Sequence, residues 1–392
     1  MSQLINKSLF SPSIYYYSTI KYYNSNIQIF KEFESKLKKL DFNTYNEIII
    51  GEIILNIENY KLFYLPVIKS SSVNLQSIDN SLSISKYKLN INNDEFKYII
   101  IDIPHVSSFP FYRILLETKN VNSHSNNEKR HIFLNLIESF TYLLDAIERL
   151  TEKNIVHFNL KEDNILYNTI SFNPQISDFR ISIPINLLTN DNISHYFYSY
   201  SPSYYIWPLE VHIINFIINE ITEPLSEKNA ISIVKEYIKD NKVLLLFNKE
   251  FNNSFEIECL NQVRKYIEKD RNETIYKLLE FYKTWDNYSL SVLYLKFFYY
   301  IFNNKIQNNL FIYSFFQILS LNINPDPLKR LSIYQTQQKF NDLLYIDEID
   351  YSIDIIELFD YDINLVSKQI NEDLQQLNEI KKRENNNKIE YI

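Results

Sequence analysis

Apolar positions change their spacing partway along this chain, and the change divides it. Up to residue 105 they come in short runs: PSIYYYSTIKY at 12–22, YKLFYLPVI at 60–68 and KYIIIDI at 97–103. Runs of this length, rich in β-branched and aromatic residues, predict strands, the last ending at Pro104. Between the first two, DFNTYNEIIIGEIILNIE at 41–58 has apolar positions compatible with a helix, although its isoleucine runs leave a strand open. Beyond residue 110 the spacing turns helical. HIFLNLIESFTYLLDAIERL at 131–150 sets Phe133, Leu136, Ile137, Phe140, Leu144, Ile147 and Leu150 on one face. Helical patterns continue to the end, broken at 154–180 and 185–208. The polar segment 363–392 predicts a surface helix fraying into a disordered RENNNK stretch. No internal repeat is visible. The pattern predicts an α+β protein with a small β-rich part followed by a large helical one.

Composition changes this picture little. The chain has 32 Tyr and 27 Phe but one Gly, one Met and one Cys, and Asn, Ile and Lys are abundant. These are residues of A/T-rich codons, so the tyrosines read as codon bias and core packing rather than as base-stacking platforms. A formal charge of −8 argues against nucleic acid as a partner, since that needs a basic face. The lone Cys259 excludes an internal disulfide and fits a reducing compartment such as the cytoplasm. Lys7 interrupts a weakly apolar start with no small-residue cleavage site, so no secretory signal is expected. VLYLKFFYYIF at 292–302 falls far short of the roughly 20 residues of a bilayer span, so no membrane partner is expected either.

Candidate chemistry concentrates downstream of residue 155. VHFNLKEDNILY at 156–167 places Lys161 two positions and Asn164 five positions after Asn159, and ISDFR at 176–180 follows. YYIWPLEV at 204–211, WDNYSLSVLY at 285–294 and PDPLKRL at 325–331 come next in that order. Each resembles a protein-kinase element: the H-R-D-x-K-x-x-N catalytic loop, D-F-G, the Y-x-A-P-E end of the activation segment, the buried D-x-W-S-x-G helix and D-P-x-x-R. On these motifs the chain is identified as a divergent member of the protein kinase superfamily. It is most similar to the kinase-like proteins of large nucleocytoplasmic DNA viruses, where H-F-D-L-K also occurs.

The resemblance implies a bilobal kinase-like fold: an N-lobe over 1–105, a C-lobe over 106–345 and a C-terminal helical extension over 346–392. The stretch between Glu210 and Asp286 is longer than is usual in the family. Its helical patterns imply an inserted helical subdomain at about 211–284. ATP and Mg²⁺ are the implied cofactors, held weakly if at all. Asp178 and Asn164 would be the metal ligands, and Lys161 would lie against the transferred phosphate, with L-K-x-x-N pointing to Ser/Thr type. Asp286 would anchor the catalytic loop, and Arg330 would pair with Glu210. In the N-lobe, Lys21 in STIK would position ATP, with Glu47 as its partner and Glu52 as second choice.

Three departures weigh against catalysis. Asn159 stands where the family has Asp, and an amide accepts a hydrogen bond but cannot serve as a base, a role worth ~10²–10⁴-fold in rate. Arg180 replaces the glycine of D-F-G; its guanidinium could meet a phosphate, Asp178 or solvent. The phosphate loop has no glycine, because Gly51 lies in the expected helix, and Ser11, Ser13 and Tyr15 would fill that space. Phe158 also replaces the Arg that commonly binds an activation-loop phosphate, and His157 is expected to pack rather than react. The resemblance with its departures implies a pseudokinase acting through a protein partner. The alternative is an active atypical Ser/Thr kinase that phosphorylates protein hydroxyls, with Asn159 orienting the acceptor. A structural protein that binds no nucleotide, such as a virion component, is a third class.

Overall fold

The computed structural model of the protein describes residues 33–73, 98–111, 113, 126–302 and 310–344. The strand expected at 12–22, Lys21, the phosphate-loop residues and the C-terminal extension lie outside the described residues. Within them the protein is mixed α+β.

The first unit begins with β1 (Phe33–Lys39), α1 (Phe42–Ile54), β2 (Tyr64–Leu65), β3 (Lys69–Val73) and β4 (Tyr98–Pro104). β4 lies between β1 and β3 and pairs antiparallel with both, with Lys38 opposite Ile99. Asp41 starts α1 by accepting the Thr44 N–H at 2.8 Å, which satisfies a donor that the first helical turn leaves open. The helix runs through Gly51, the chain's one glycine, for a steric reason. A Cβ there would sit 2.5 Å from the Val67 carbonyl oxygen. The strand expected over 60–68 is mostly absent. Tyr60–Leu62 is a 3₁₀ turn, and Tyr64–Leu65 pairs only briefly, in parallel with a later strand. Pro66, which has no N–H to donate, follows at once. The charged β1 and the serine-rich β3 carried too little apolar alternation to be expected as strands.

β5 (Ser108–Pro110) leads to α2 (Asn126–Glu152), whose Leu136, Ile137, Phe140, Leu144, Ile147 and Leu150 are buried along the expected face. Next come β6 (Ile155–Val156), β7 (Ile165–Asn168), β8 (Pro174–Ser177) and β9 (Ile183–Pro184). β7 and β8 form a hairpin in a sheet of order β2-β8-β7-β5, and β6 pairs with β9. Helices follow: α3 (Ile193–Tyr196), α4 (Leu209–Asn219), α5 (Glu227–Lys239), α6 (Lys249–Arg264), α7 (Arg271–Leu279), α8 (Trp285–Phe302), α9 (Leu310–Asn322) and α10 (Ile333–Leu344). Asn248 caps α6, and Ser226 and Asn229 cap α5 reciprocally. α8 is the core helix: Trp285, Tyr288, Leu290, Val292, Tyr294 and Phe297 are all buried, as a helix apolar on every side requires. Among the described residues, no helix is long and apolar enough to cross a membrane.

Candidate functional site

The loop at 157–164 is held from below by α8. Asp286, fully buried, accepts the backbone N–H of His157 at 2.6 Å and of Phe158 at 3.1 Å. These bonds hold Phe158 at φ 66°, a left-handed conformation that is costly for an aromatic residue. Stacking repays part of that cost: the Phe158 ring lies 4.7 Å from Trp207, and its carbonyl accepts the Trp207 indole N–H at 2.7 Å. Burial raises the Asp286 pKa to about 6, against the lowering effect of the two N–H groups. His157 Nε2 donates to the Ser177 carbonyl at 3.0 Å, and burial lowers its pKa to about 4. His157 is therefore a neutral, packed side chain at neutral pH.

The loop places Asn159 against the segment 193–208. The Asn159 side-chain oxygen accepts the hydroxyl of Tyr204, and its backbone carbonyl accepts the Asn164 side-chain N–H at 2.9 Å. Burial raises the Tyr204 pKa, so the phenol keeps its proton and donates. Lys161 lies 3.4 Å from Asp163 on the exposed side of the loop. Glu162 receives the Lys296 ammonium of α8 at 2.6 Å, a second tie between loop and core.

Asp178 follows β8 with φ 63°, and Phe179 beside it is buried against Tyr64 and His157. Arg180 then folds back onto Asp178. Its Nε donates to one carboxylate oxygen at 2.6 Å and its Nη2 to the other at 2.9 Å. Burial would raise the Asp178 pKa, but the hydrogen bonds and charge of Arg180 outweigh it and lower the value. Asn46 of α1 fixes this turn from above, donating to the carbonyls of Arg180 at 3.0 Å and Ser182 at 2.7 Å. It also accepts the Tyr196 hydroxyl at 3.3 Å.

Glu47 is the next residue on α1. The lysine brought to it is Lys38 of β1, at 2.5 Å, with side chains 11% and 5% exposed. Lys21, expected in that role, lies outside the described residues. The β1–β4 register and the Asp41 cap, which place Lys38 just ahead of α1, decide the pairing. Burial raises the Glu47 pKa, and Lys38 opposes it. Glu52 is exposed.

The structure thus brings Lys38, Glu47, Asp178 and Arg180 into one electrostatic neighbourhood. Hydrogen bonds through Ser177 and Asn164 link it to Asn159. Farther down, Arg330 donates to both Glu210 oxygens at 2.5 and 2.9 Å. Lys38, Asn46 and Tyr204 escaped sequence reading. A lysine-bearing strand running directly into an Asp-capped helix was the one available signal, and it concerns Lys38 alone.

A divalent cation does not fit these residues as they stand. Asp178 presents both oxygens to a guanidinium fork, and the Asn164 amide is turned to Asn159. Among the described residues no group of three or more His, Cys, Asp or Glu side chains could hold a metal ion. Compared with known proteins, the chain matches no family model and no curated relative.

Proposed function

We propose that the protein is a bilobal, kinase-like protein of Ser/Thr type that has lost phosphoryl transfer and acts by binding or regulating a protein partner. One observation carries the reading: the two positions on which transfer depends are satisfied by the chain's own side chains. Tyr204 donates to Asn159, and Arg180 takes both oxygens of Asp178. With an amide in place of the base, the ~10²–10⁴-fold contribution of proton abstraction is missing. The kinase-like assignment is supported by the motif order, by the Lys38–Glu47 pair between β1 and α1, by the hold of Asp286 on the loop and by the Glu210–Arg330 pair. A viral origin rests on the family likeness alone. A cytoplasmic site of action is supported by the single buried Cys259.

The test is transfer of labelled γ-phosphate from ATP, with Mg²⁺ or Mn²⁺, to a generic protein acceptor. The expected result is no transfer above the level of a Lys161→Ala control, in the wild type and in Asn159→Asp alike. Transfer by the wild type that disappears in Lys161→Ala overturns the reading. It would establish the alternative, a slow Ser/Thr kinase, which the retained Lys161, Asn164 and Asp178 favour.

A further inference from the structure

We propose that Arg180 is a built-in counter-cation that takes the place of a divalent metal at Asp178, and that Asn46 is the residue that positions it. The inference rests on the kinase-like reading of Asp178 as the cation-binding carboxylate. It goes further by assigning the loss of metal binding to one identified side chain, and by making that loss reversible.

The geometry carries the assignment. A guanidinium is planar, and its paired N–H groups match the two oxygens of a carboxylate. Arg180 uses that match fully, with one donor on each Asp178 oxygen at 2.6 and 2.9 Å. The two side chains are 25% and 17% exposed, so water screens the pair only in part. Nor is the fork a surface side chain in passing contact. Phe179, between the two residues, is 1% exposed and locks the turn into the core. The Arg180 carbonyl is tied to Asn46 of α1, which also holds Ser182 and Tyr196. Asn46 itself is 1% exposed, so its amide is a fixed part of the packing.

Two consequences follow for a metal. Mg²⁺ needs oxygen ligands close to 2.1 Å in near-octahedral order. A cation on Asp178 would therefore have to displace the fork or share the carboxylate with it. Sharing places a divalent charge within a few ångströms of a guanidinium that stays protonated at any working pH, a repulsion that weakens binding by at least ~100-fold. Displacement requires breaking both guanidinium–carboxylate bonds of a side chain whose backbone Asn46 holds beside Asp178.

Mn²⁺ alone is the probe, followed by the loss of its free-ion electron paramagnetic resonance signal, which needs neither nucleotide nor activity. Full-length wild type is expected to leave the signal unchanged at millimolar metal. Arg180→Gly should bind with a gain in affinity of at least ~100-fold. Adding Asp178→Asn to that variant should abolish the gain. Arg180→Gln removes the charge but keeps the stem, and should gain binding even if the glycine variant is poorly folded. Asn46→Ala frees the tether and should give an intermediate gain, which a merely structural role for Asn46 would not produce. Wild-type binding equal to that of Arg180→Gly overturns the proposal. So does the absence of binding in both Arg180 variants, since Asp178 would then be no cation site. The pseudokinase reading stands or falls separately, on wild-type phosphoryl transfer.

Discussion

Replacing Glu210 by Gln is expected to cost the fold ~3–4 kcal/mol, and the figure follows from how completely the ion pair is enclosed. The Arg330 and Glu210 side chains are 1% and 2% exposed. The guanidinium also donates to the Asn324 carbonyl at 2.7 Å and lies 5.1 Å from the centre of the Tyr288 ring. Glutamine keeps the size and one acceptor oxygen of Glu210. It also turns an N–H₂ group toward a guanidinium N–H and leaves the buried positive charge without its counter-ion. Removing one partner of such a pair costs ~3–5 kcal/mol, and the surviving Asn324 and Tyr288 contacts favour the lower half of that range. The folding constant then falls by roughly 10²–10³. Urea titration followed by circular dichroism at pH 7 measures it. Because water does not reach the pair, the loss should be the same at low and high salt. The double variant Glu210→Leu/Arg330→Met should lose less than its two single variants together, with a coupling of at least ~2 kcal/mol. A loss under ~1 kcal/mol for Glu210→Gln, or one that vanishes in salt, would refute the account.

Lys38→Met should destabilise the protein by ~3 kcal/mol at pH 7, because Glu47 is left buried without its cation. Adding Glu47→Leu should recover much of that, and thermal melts of the single and double variants compare them directly. In the acid range two groups oppose each other. Buried His157, at about 4 against an unfolded 6.5, contributes stability present above 6.5 and lost as pH falls toward 4, ~3 kcal/mol in all. Asp286, at about 6 against an unfolded 3.8, contributes stability present below 3.8 and lost as pH rises through 6, a similar amount. His212, buried and lowered to about 3, adds to the His157 side. Urea midpoints should therefore fall from pH 6.5 to 4 in the wild type and fall less in His212→Phe; equal slopes would exclude the histidine account. Gly51→Ala should lower the melting temperature although alanine is the better helix former, since its Cβ meets backbone at Val67; the overpacking cost is ~1–3 kcal/mol.

What the sequence by itself determined is local. The helical face from Leu136 to Leu150 is buried as its spacing demands, because helix period and side-chain polarity belong to one short segment. The helix carrying WDNYSLSVLY and the positions of Asn159, Asn164, Asp178, Asp286 and Arg330 were legible from ordered motifs, which are also local in sequence. The missed elements, β1 and β3, carry charged and serine residues whose pairing comes from a neighbour, β4, distant in sequence. Tertiary structure alone decided who meets whom. It gave Glu47 to Lys38, Asp178 to Arg180, the carbonyl of Arg180 to Asn46, and Asn159 to Tyr204. A side chain's type states what it can bond, but which partner it finds depends on how the turns and segments around it fold and pack, over separations from 2 residues for Asp178 and Arg180 to 134 for Asn46 and Arg180. For this site the partners bear on the proposed function: the motif residues resemble those of a centre for phosphate chemistry, and packing pairs Asn159 and Asp178 with the chain's own donors.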